Sequence, residues 1–518
     1  MNISEFLTLA EAVVPERDAI IFENSHINYR DLKDRIARLA GALSDLGLRE
    51  GDRVATLLVN RPEMVETAFA ASGLGAVFVP LNFRARAEEL TFMIGDANPS
   101  ILVVEERYYS LVEEILPNIE DVSIIGVGSP HAGWPSYAAL LSHPAKLEAD
   151  LSDINDDLAV LMFTAGTTGT PKAVMLTHES FSSYILANVE PVDPEISESN
   201  LLTVPLYHIA GLQAVIAGIY AGRTLIVQRQ FEPQEWMTLI QEFRVQRAMM
   251  VPTMLKQIME HPEFSSFNLS SLEIITYGAA PMPLEIIRRA IEEFPGCRFI
   301  NAFGQTETAS TITMLAPEDH EIPVGLPSNE QEMRLRRLTS IGKPLPDVEV
   351  RIVDEFGSDV APEQIGELVA RGPRLMKGYW NQAEATQATI RSGWLYTGDL
   401  GYSDPDGYIY LAGRAKDTIK RGGEMISPEE VENVLRSHVA VDDAAVIGIP
   451  DAEWGETVRA IVTIRSDHTQ PDSGELIEYC RERLASFKKP GSVIFVDELP
   501  RNSLGKVLKR SLREKFSA

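Results

Sequence analysis

Cysteine is nearly absent from this sequence. Only Cys297 and Cys480 occur among 518 residues, which is too few for a disulfide framework and is typical of a reducing compartment. The nine histidines are scattered without the spacing of a zinc site. We therefore expect a cytoplasmic protein without disulfides or a structural zinc centre.

Basic charge is also scarce. The chain has 47 Lys and Arg residues against 75 Asp and Glu residues, which gives a net charge of −28. So negative a chain should repel nucleic acid and anionic membrane surfaces. The charge is uneven, however, because residues 488–518 contain eight basic and three acidic residues. We expect no nucleic-acid partner, and anionic ligands would have to be bound by local positive groups.

One long stretch without charge stands out. Residues 201–222 contain no Asp, Glu, Lys or Arg, and their number would suit a membrane span. Pro205, His208 and three glycines interrupt it, so we predict a buried strand, a loop and a buried helix instead. Residues 1–16 lack a basic segment followed by an apolar core, and we expect no secretory signal there.

The length and the apolar pattern predict two domains. A single core rarely exceeds about 250–300 residues, and short Val- and Ile-rich runs alternate here with amphipathic segments. This order predicts an α/β domain of layered, largely parallel sheets with helices. We place the boundary near 413–416, giving domains 1–413 and 414–518. The second reads as a small α+β domain whose first helix begins with Ser427 as N-cap and Pro428 as first residue.

The sharpest local signal is the segment 161–172, which reads LMFTAGTTGTPK. A predicted strand enters a loop of small residues, whose glycines let backbone N–H groups approach an anion while threonine hydroxyls add donors. The spacing is not that of a P-loop, and a Thr/Gly-rich surface turn is the alternative. The candidate phosphate-binding residues are Thr164, Gly166, Thr167, Thr168, Gly169 and Lys172.

Four further motifs follow in order. They are NAFGQTE at 301–307, WLYTGD at 394–399, GRAKD at 413–417 and PRNSLGK at 500–506. The first follows a predicted strand over 298–300, and the second is expected to precede another strand. Together with the phosphate loop they resemble the adenylate-forming superfamily over nearly the whole chain. Within it, the sequence is most similar to acyl-CoA synthetases that act on fatty, alicyclic or aromatic acids.

The resemblance implies a two-step reaction with ATP, Mg²⁺ and coenzyme A. A carboxylate attacks the α-phosphate of Mg-ATP, giving acyl-AMP and pyrophosphate, and the thiol of coenzyme A then displaces AMP. Carboxylate and triphosphate are both anions, so fixed positive charge must offset their approach. The family also rotates its small C-terminal domain between the steps, which implies a mobile domain here.

The resemblance assigns the central roles residue by residue. Lys506 matches the lysine that bridges carboxylate and α-phosphate oxygens, and Glu307 matches the Mg²⁺ ligand. Thr306 resembles the threonine that hydrogen-bonds the AMP phosphate. Asp399 resembles the carboxylate that accepts the ribose hydroxyls, assisted by Arg414. The alternatives are a surface lysine, an exposed glutamate and a turn aspartate.

The adenine side is assigned in the same way. The segment 277–281 matches the part of the family that lines the adenine and the acyl group. Phe303 stands where the family often has tyrosine, and we expect its ring to pack on the adenine, although a core aromatic is the alternative. The implied nucleotide contacts here are Gly278, Ala279, Ala280, Asn301 and Phe303.

The resemblance assigns the thiol step to other residues. His208 stands where the family closes the pantetheine tunnel, although a lone histidine in an apolar stretch is often a core residue. Glu424 is expected to orient His208, and Lys416 matches the hinge. The remaining implied contacts, to the tunnel and to coenzyme A, are Gly422, Gly423, Trp454 and Lys489, of which Trp454 has a packing role as its alternative.

This sequence departs from the family pattern at three positions. Ala165 replaces a common serine of the phosphate loop, and Ala173 replaces a common glycine after the lysine. The loss of one hydroxyl donor puts the nucleotide affinity in doubt. Gly491 stands where some relatives carry a basic residue, which puts the contacts to the 3′-phosphate of coenzyme A in doubt.

The sequence predicts only the polarity of the acyl tail of the substrate. The acyl pocket is expected around Ile209, Ala210, Leu212, Ala279 and the segment after Glu307, which are small or apolar and include no arginine. We therefore expect an uncharged acyl tail. Outside the pocket, the segment 330–337 reads as a surface loop or as part of a substrate entrance.

Two other functions and the oligomeric state stay open. The adenylate could pass to a carrier-protein thiol or to oxygen instead of coenzyme A. A non-catalytic acyl-adenylate binding protein is the second alternative. The sequence leaves the oligomeric state open, a homodimer included.

Overall fold

The computed structural model describes residues 1–119, 121–144, 157–164, 171–323, 325, 327–414, 417–421, 424–451, 454–502 and 505–517. The described helices are α1 Ile3–Val13, α2 Tyr29–Asp45, α3 Pro62–Gly73, α4 Ala87–Ala97, α5 Tyr109–Ile115, α6 Tyr137–Leu140, α7 His178–Asn188, α8 Ile209–Tyr220, α9 Pro233–Phe243, α10 Pro252–Met259, α11 Leu284–Glu293, α12 Ser328–Arg337, α13 Ala383–Thr389, α14 Pro428–Arg436, α15 Ser473–Arg483 and α16 Lys509–Phe516.

Twenty-six strands accompany these helices in the described part of the chain. They are β1 Asp18–Phe22, β2 Ser25–Asn28, β3 Arg53–Leu57, β4 Val77–Pro80, β5 Ile101–Glu105, β6 Ser123–Val127, β7 Leu158–Thr164, β8 Lys172–Thr177, β9 Ser199–Leu202, β10 Thr224–Val227, β11 Arg247–Met250, β12 Ile274–Gly278, β13 Arg298–Gln305, β14 Ser310–Leu315, β15 Lys343–Pro344, β16 Glu349–Val353, β17 Gly366–Arg371, β18 Gly378–Tyr379, β19 Ile390–Arg391, β20 Trp394–Ser403, β21 Ile409–Arg414, β22 Ile419–Arg421, β23 Glu424–Ile426, β24 Val441–Asp451, β25 Gly455–Ile464 and β26 Ser492–Phe495.

Two large mixed sheets form most of the N-terminal part. The first has nine strands in the order β15-β14-β13-β12-β11-β9-β10-β1-β2, and its central strands are parallel. The second has seven strands in the order β18-β8-β7-β4-β3-β5-β6, with a parallel centre and an antiparallel edge. Helices lie beside the central strands, which are nearly continuous apolar runs because parallel strands are buried on both faces.

The apolar core is divided between these two sheets. One buried cluster joins the seven-stranded sheet to α1, α2, α3 and α8, and includes Phe6, Phe69 and Phe78. A second cluster surrounds β11 and β12 and includes Trp236 and Tyr277. Each cluster packs helices against a sheet, which fixes the strand ends from which the candidate site is built.

A third sheet and a small C-terminal unit complete the fold. The third sheet is antiparallel and contains β16, β17, β19, β20 and β21. The fourth contains β22 to β26 and packs with α14, α15 and α16 around its own apolar clusters. Because β21 ends at Arg414 and β22 begins at Ile419, we propose that the domain boundary lies between them.

Most of the predicted elements are confirmed, with two corrections. The uncharged stretch contains β9 and α8, as predicted, and Ser427 caps α14. The motif at 394–399 was expected to precede a strand, but it is the first half of β20. The segment 330–337 was expected as a surface loop or entrance, but it lies in the exposed helix α12, whose Arg336 pairs with Glu363.

The small unit contacts the large one beside α10. Lys256 of α10 forms an ion pair with Asp442 at 2.5 Å. Gly505 has a φ of +75°, and a Cβ atom added there would lie 2.5 Å from Thr253 Oγ1. The loop that carries Lys506 is therefore seated directly on the start of α10.

None of the described helices combines the length and the apolar character that crossing a bilayer requires.

Candidate active site

The centre of the site is the carboxylate of Asp399. Antiparallel pairing of β20 with β21 sets Asp399 opposite Arg414, whose Nε donates to Oδ1 at 2.5 Å. Gln305 Nε2 donates to the other oxygen at 2.5 Å. Asp399 is buried, so these two donors compensate its lost hydration and fix its orientation.

Gln305 connects this carboxylate to the next part of the site. It ends β13, and a single 3₁₀ turn over Thr306–Thr308 follows it directly. The turn ends in the left-handed backbone of Ala309, with a φ of 46°. Thr306 and Glu307 are thus held within two residues of the side chain that contacts Asp399.

Glu307 in turn contacts Tyr379, a residue that the sequence analysis missed. The Tyr379 hydroxyl donates to Glu307 Oε1 at 2.9 Å, and burial, followed by the charge of Glu307, raises the pKa of Tyr379. Lys172 Nζ lies 4.7 Å from the centroid of the same ring. The signal in the sequence was an aromatic pair after Gly378, which also occurs in ordinary packed strands.

The Glu307 site fits a magnesium ion that arrives with a nucleotide. Mg²⁺ takes one or two protein carboxylates together with phosphate oxygens and water, and Glu307 supplies a single carboxylate beside the hydroxyl-bearing Thr306. Among the described residues, no three His, Cys, Asp or Glu side chains cluster as metal ligands. Phosphate oxygens would therefore have to complete the shell.

The phosphate loop is described only at its two ends. Thr164 ends β7 and is paired with Lys172 at the start of β8, and Thr164 Oγ1 donates to the Lys172 carbonyl at 3.4 Å. The predicted contacts Gly166, Thr167, Thr168 and Gly169 lie outside the described residues.

The candidate adenine segment lies where β12 ends beside β13. Gly278 is paired with Ala302, and a Cβ atom at Gly278 would lie 2.1 Å from the Ala302 carbonyl oxygen. Only glycine fits such a close approach. Ala279 follows with a φ of 64°, and Ala280 is half-buried beyond it.

Asn301 and Phe303 lie on β13 next to this segment. Asn301 Nδ2 donates to the Ser340 carbonyl at 3.1 Å. Phe303 is half-buried and packs against the apolar cluster of Ile312 and Leu345. One side of the ring therefore has a packing role, which leaves its expected contact with the adenine a prediction.

His208 directly precedes α8 as its N-cap residue. Its ring lies 4.1 Å from the ring of Tyr207. Burial, and to a lesser extent the charge of Arg84, lowers the pKa of His208 to about 3. The imidazole is therefore neutral at physiological pH.

Lys506 approaches from the small unit. Asn502 Oδ1 accepts from the Lys506 backbone N–H at 2.8 Å, and Arg501 forms an antiparallel bridge with Val507. The Lys506 side chain is exposed to solvent, yet the surrounding protein reduces its hydration. This desolvation, together with the charge of Arg414, lowers the pKa of Lys506, while Asp399, Glu429 and Asp417 act in the opposite direction. Lys506 is thus within electrostatic reach of the Asp399 centre.

The predicted thiol-side residues are less fully described. Lys416, Gly422, Gly423 and the side chain of Glu424 lie outside the described residues, although Glu424 begins β23. Trp454 is 45% exposed, and the Arg421 guanidinium lies 5.8 Å from its ring. Lys489 is half-buried next to Lys488, which pairs with Glu430 at 2.7 Å.

Comparison with protein families identifies the class. Residues 8–380 match the model described as AMP-binding enzyme, and residues 430–506 match that described as AMP-binding enzyme C-terminal domain. The chain therefore belongs to the AMP-binding enzyme family, the adenylate-forming superfamily. The predictions of this family and of an AMP-forming acid–thiol ligase are confirmed at this level.

Individual relatives span the whole chain. A feruloyl-CoA synthase of Amycolatopsis sp is 36% identical over 97% of this chain and 96% of its own. A fatty acid–[acyl-carrier-protein] ligase of Streptomyces coeruleorubidus, ScoC, is 32% identical over 97% and 94%. The solved o-succinylbenzoate–CoA synthetase of Bacillus subtilis, in complex with its acyl-adenylate intermediate, has a TM-score of 0.82 and 32% identity over 98% and 97%. The two-part α/β architecture predicted from sequence is confirmed by this likeness.

Proposed function

We propose that the chain is an ATP-dependent acyl-CoA synthetase. It would activate a carboxylic acid with an uncharged tail to acyl-AMP, with release of pyrophosphate, and then transfer the acyl group to coenzyme A. The observation that carries this proposal is the contact between Gln305 and Asp399. It links a buried acceptor that suits ribose hydroxyls to the Glu307 turn that suits phosphate chemistry.

In the first step, the nucleotide would lie across these groups. Asp399, held by Arg414 and Gln305, accepts hydrogen bonds from ribose, and Thr306 donates to the α-phosphate. Lys172 adds positive charge on the phosphate side, since it ends the candidate loop beside Tyr379. Bound Mg²⁺ would neutralise phosphate charge, and Glu307 would hold it.

Lys506 would act on the reacting oxygens. A lysine with reduced hydration gains strongly from an anionic partner, because the anion restores the favourable environment of the charged form. When carboxylate and α-phosphate occupy the cleft, Lys506 can contact both and offset their repulsion. The hydrogen bond from the Lys506 backbone to Asn502 and the close approach of Gly505 to Thr253 of α10 support this placement.

The second step needs a route for the thiol. A neutral His208 at the start of α8 can move aside without leaving an uncompensated charge, which suits a gate. We propose Glu424 as the group that orients His208 in that step, and Lys416 as the hinge of the rotating domain. Gly422, Gly423, Trp454 and Lys489 are proposed contacts of coenzyme A.

A second acceptor is the main alternative. A relative at 32% identity is named a ligase for an acyl carrier protein, so the pantetheine of a carrier protein remains a candidate. The basic segment 488–518 favours free coenzyme A, whose nucleotide end carries three phosphates.

The test is pyrophosphate release by the full chain over a panel of carboxylic acids, with and without coenzyme A. We expect pyrophosphate with at least one acid, and an acyl-thioester only when coenzyme A is added. A holo carrier protein that accepts the acyl group faster than coenzyme A would favour the alternative acceptor. No pyrophosphate with any acid would favour a non-catalytic adenylate-binding protein.

A further inference from the structure

The side-chain amide of Gln213 is buried without a hydrogen-bond partner. The residue is 4% exposed, and both Oε1 and Nε2 lack a partner among the described residues. A buried amide in this state is costly, because its hydration is lost and nothing replaces it. Such groups are rare, and each requires an explanation.

The position of Gln213 on α8 gives the first part of the explanation. One side of the helix packs on β10, where Gly218 meets Leu225. Another side faces Ile3 and Phe69 through Leu212 and Ile216. These contacts account for two sides of α8 and leave a third side to explain. They also direct Leu212, which was expected in the acyl pocket, toward the core.

That third side consists of small residues and Gln213. Ala210, Gln213, Ala214 and Ala217 fall within an arc of about 100° on a helix of 3.6 residues per turn. Ala210 and Ala214 are the residues of α8 that are not buried. The arc is therefore less tightly covered than the rest of α8, and it begins two residues after His208.

Elements that contact α8 also carry polar side chains. The helix α8 contacts α7 and β14, which bear the hydroxyl groups of Tyr184 and Thr311. Ala309, which follows the Glu307 turn, belongs to the same buried cluster as Ile209. The start of α8 and the end of the Glu307 turn thus belong to one apolar core.

We propose that Gln213 is a specificity-determining residue that hydrogen-bonds an uncharged polar group, such as a hydroxyl, on the tail of the acid. This inference rests on the proposed function and narrows its substrate class. A carboxamide both donates and accepts, so a hydroxyl satisfies it in either direction. A purely apolar tail would leave the amide unpaired and would be bound less well.

The helix geometry also predicts how far along the acyl tail the hydroxyl should lie. His208 and Gln213 are five residues apart, which corresponds to a rise of about 7.5 Å. The hydroxyl should therefore lie at the far end of a six-carbon chain or a substituted ring.

A charged tail is less suitable than a hydroxyl. Among the described residues, Arg374 is the one buried Lys or Arg, and its guanidinium lies 5.2 Å from the Tyr184 ring of α7. Arg374 Nη2 donates to Asp347 at 3.2 Å, so its charge is already neutralised. A second carboxylate would bring an extra uncompensated charge into this region.

The test compares matched acids with the wild type and with Gln213→Met. The pairs are ω-hydroxyhexanoate with hexanoate and para-hydroxyphenylacetate with phenylacetate. For at least one pair, we expect the wild type to favour the hydroxylated acid in kcat/KM by about tenfold or more, and Gln213→Met to abolish most of that ratio. The readouts are pyrophosphate release and, independently, the Kd of each acid measured calorimetrically with AMP present.

Controls separate this role from a structural one. Ile216→Met, on the core side of the same helix, should leave the ratio unchanged. Gln213→Met should not lower the Tm, because the amide has no partner among the described residues to lose. If Gln213→Met does not fold, Gln213→Leu is measured in its place.

Each outcome decides the proposal. A ratio that is unchanged in both readouts, or a wild type that prefers the dicarboxylate hexanedioate, would overturn it. Discrimination in binding without pyrophosphate release would support the Gln213 site and reject the proposed function. Pyrophosphate release without discrimination would reject the Gln213 site and retain the function.

Discussion

The hydroxyl of Tyr379 donates a 2.9 Å hydrogen bond to Glu307 Oε1. The same ring lies 4.7 Å from Lys172 Nζ, and its strand β18 pairs with β8. One buried aromatic side chain thus connects the candidate metal ligand to the lysine that ends the phosphate loop. The contact gives Tyr379 a positioning role.

Removing the Tyr379 hydroxyl should weaken the binding of Mg²⁺ by Glu307. Hydrogen bonds to charged groups contribute about 1.5–3 kcal/mol, so Tyr379→Phe should lower adenylation by about ten- to a hundredfold. The Mg²⁺ concentration for half-maximal pyrophosphate release should rise, because Glu307 is less well oriented. Tyr402→Phe, in the third sheet, is the matched control. An unchanged magnesium dependence would argue against the positioning role.

The Asp399 centre predicts discrimination between ribose and deoxyribose. If Asp399 accepts ribose hydroxyls, the wild type should bind ATP more tightly than deoxy-ATP. Asp399→Asn should shrink that difference, since the amide is a weaker acceptor and disturbs the pair with Arg414. Calorimetry with both nucleotides measures it, with Asp406→Asn as the surface control. Equal losses for both nucleotides would mean that Asp399 acts elsewhere.

Lys506 should matter for one half-reaction only. Lys506→Ala is expected to abolish acyl-AMP formation, because the repulsion between carboxylate and phosphate is no longer offset. It should retain much of the thioester formation from supplied acyl-AMP. The two half-reactions are measured separately, with Lys515→Ala as the control. Comparable losses in both steps would contradict this assignment.

The close approach of Gly505 to Thr253 leads to a related prediction. Gly505→Ala would place a methyl group against Thr253 and force a residue with a Cβ atom to adopt a φ of +75°. Adenylation should fall while thioester formation from acyl-AMP persists. Thr253→Ala in the same chain should restore part of the adenylation rate, because it relieves the contact but not the backbone strain. Absence of any restoration would leave strain alone as the cause.

Two buried histidines predict acid sensitivity. Burial is the main cause that lowers the pKa of His178 and of His320 to about 4. The unfolded chain takes up these protons below about pH 6.5, and the folded chain does not until about pH 4. Stability is therefore complete above pH 6.5 and decreases as the pH falls through this window.

The size of this effect can be measured. At pH 5 each histidine should cost about 2 kcal/mol of the free energy of unfolding. Denaturant unfolding at pH 7 and pH 5 checks the sum, and His320→Gln should remove about a third of the pH dependence, because His208, with its lowered pKa, contributes as well. Burial holds His320 neutral, while the Ala316 carbonyl oxygen, 2.8 Å from Nδ1, acts in the opposite direction. A wild-type stability that is flat across this range would contradict the assignment.

The sequence by itself determined the class of protein and most of its elements. The alternation of apolar runs with amphipathic segments is local, and so is the capping of α14 by Ser427. The ordered motifs fixed the family because their residue types are those that phosphate and carboxylate chemistry needs. The helix α12 was missed because its charged sequence has no apolar face to indicate a helix.

Only the tertiary structure decided which side chains meet. Gln305 and Asp399 are 94 residues apart and Tyr379 and Glu307 are 72 apart, and these contacts join segments that belong to different sheets. No local pattern distinguishes Tyr379 from a packed aromatic, or Gln213 from any other helical glutamine. Their significance depends on burial and on the presence or absence of partners, which are properties of the packed chain and not of its local sequence.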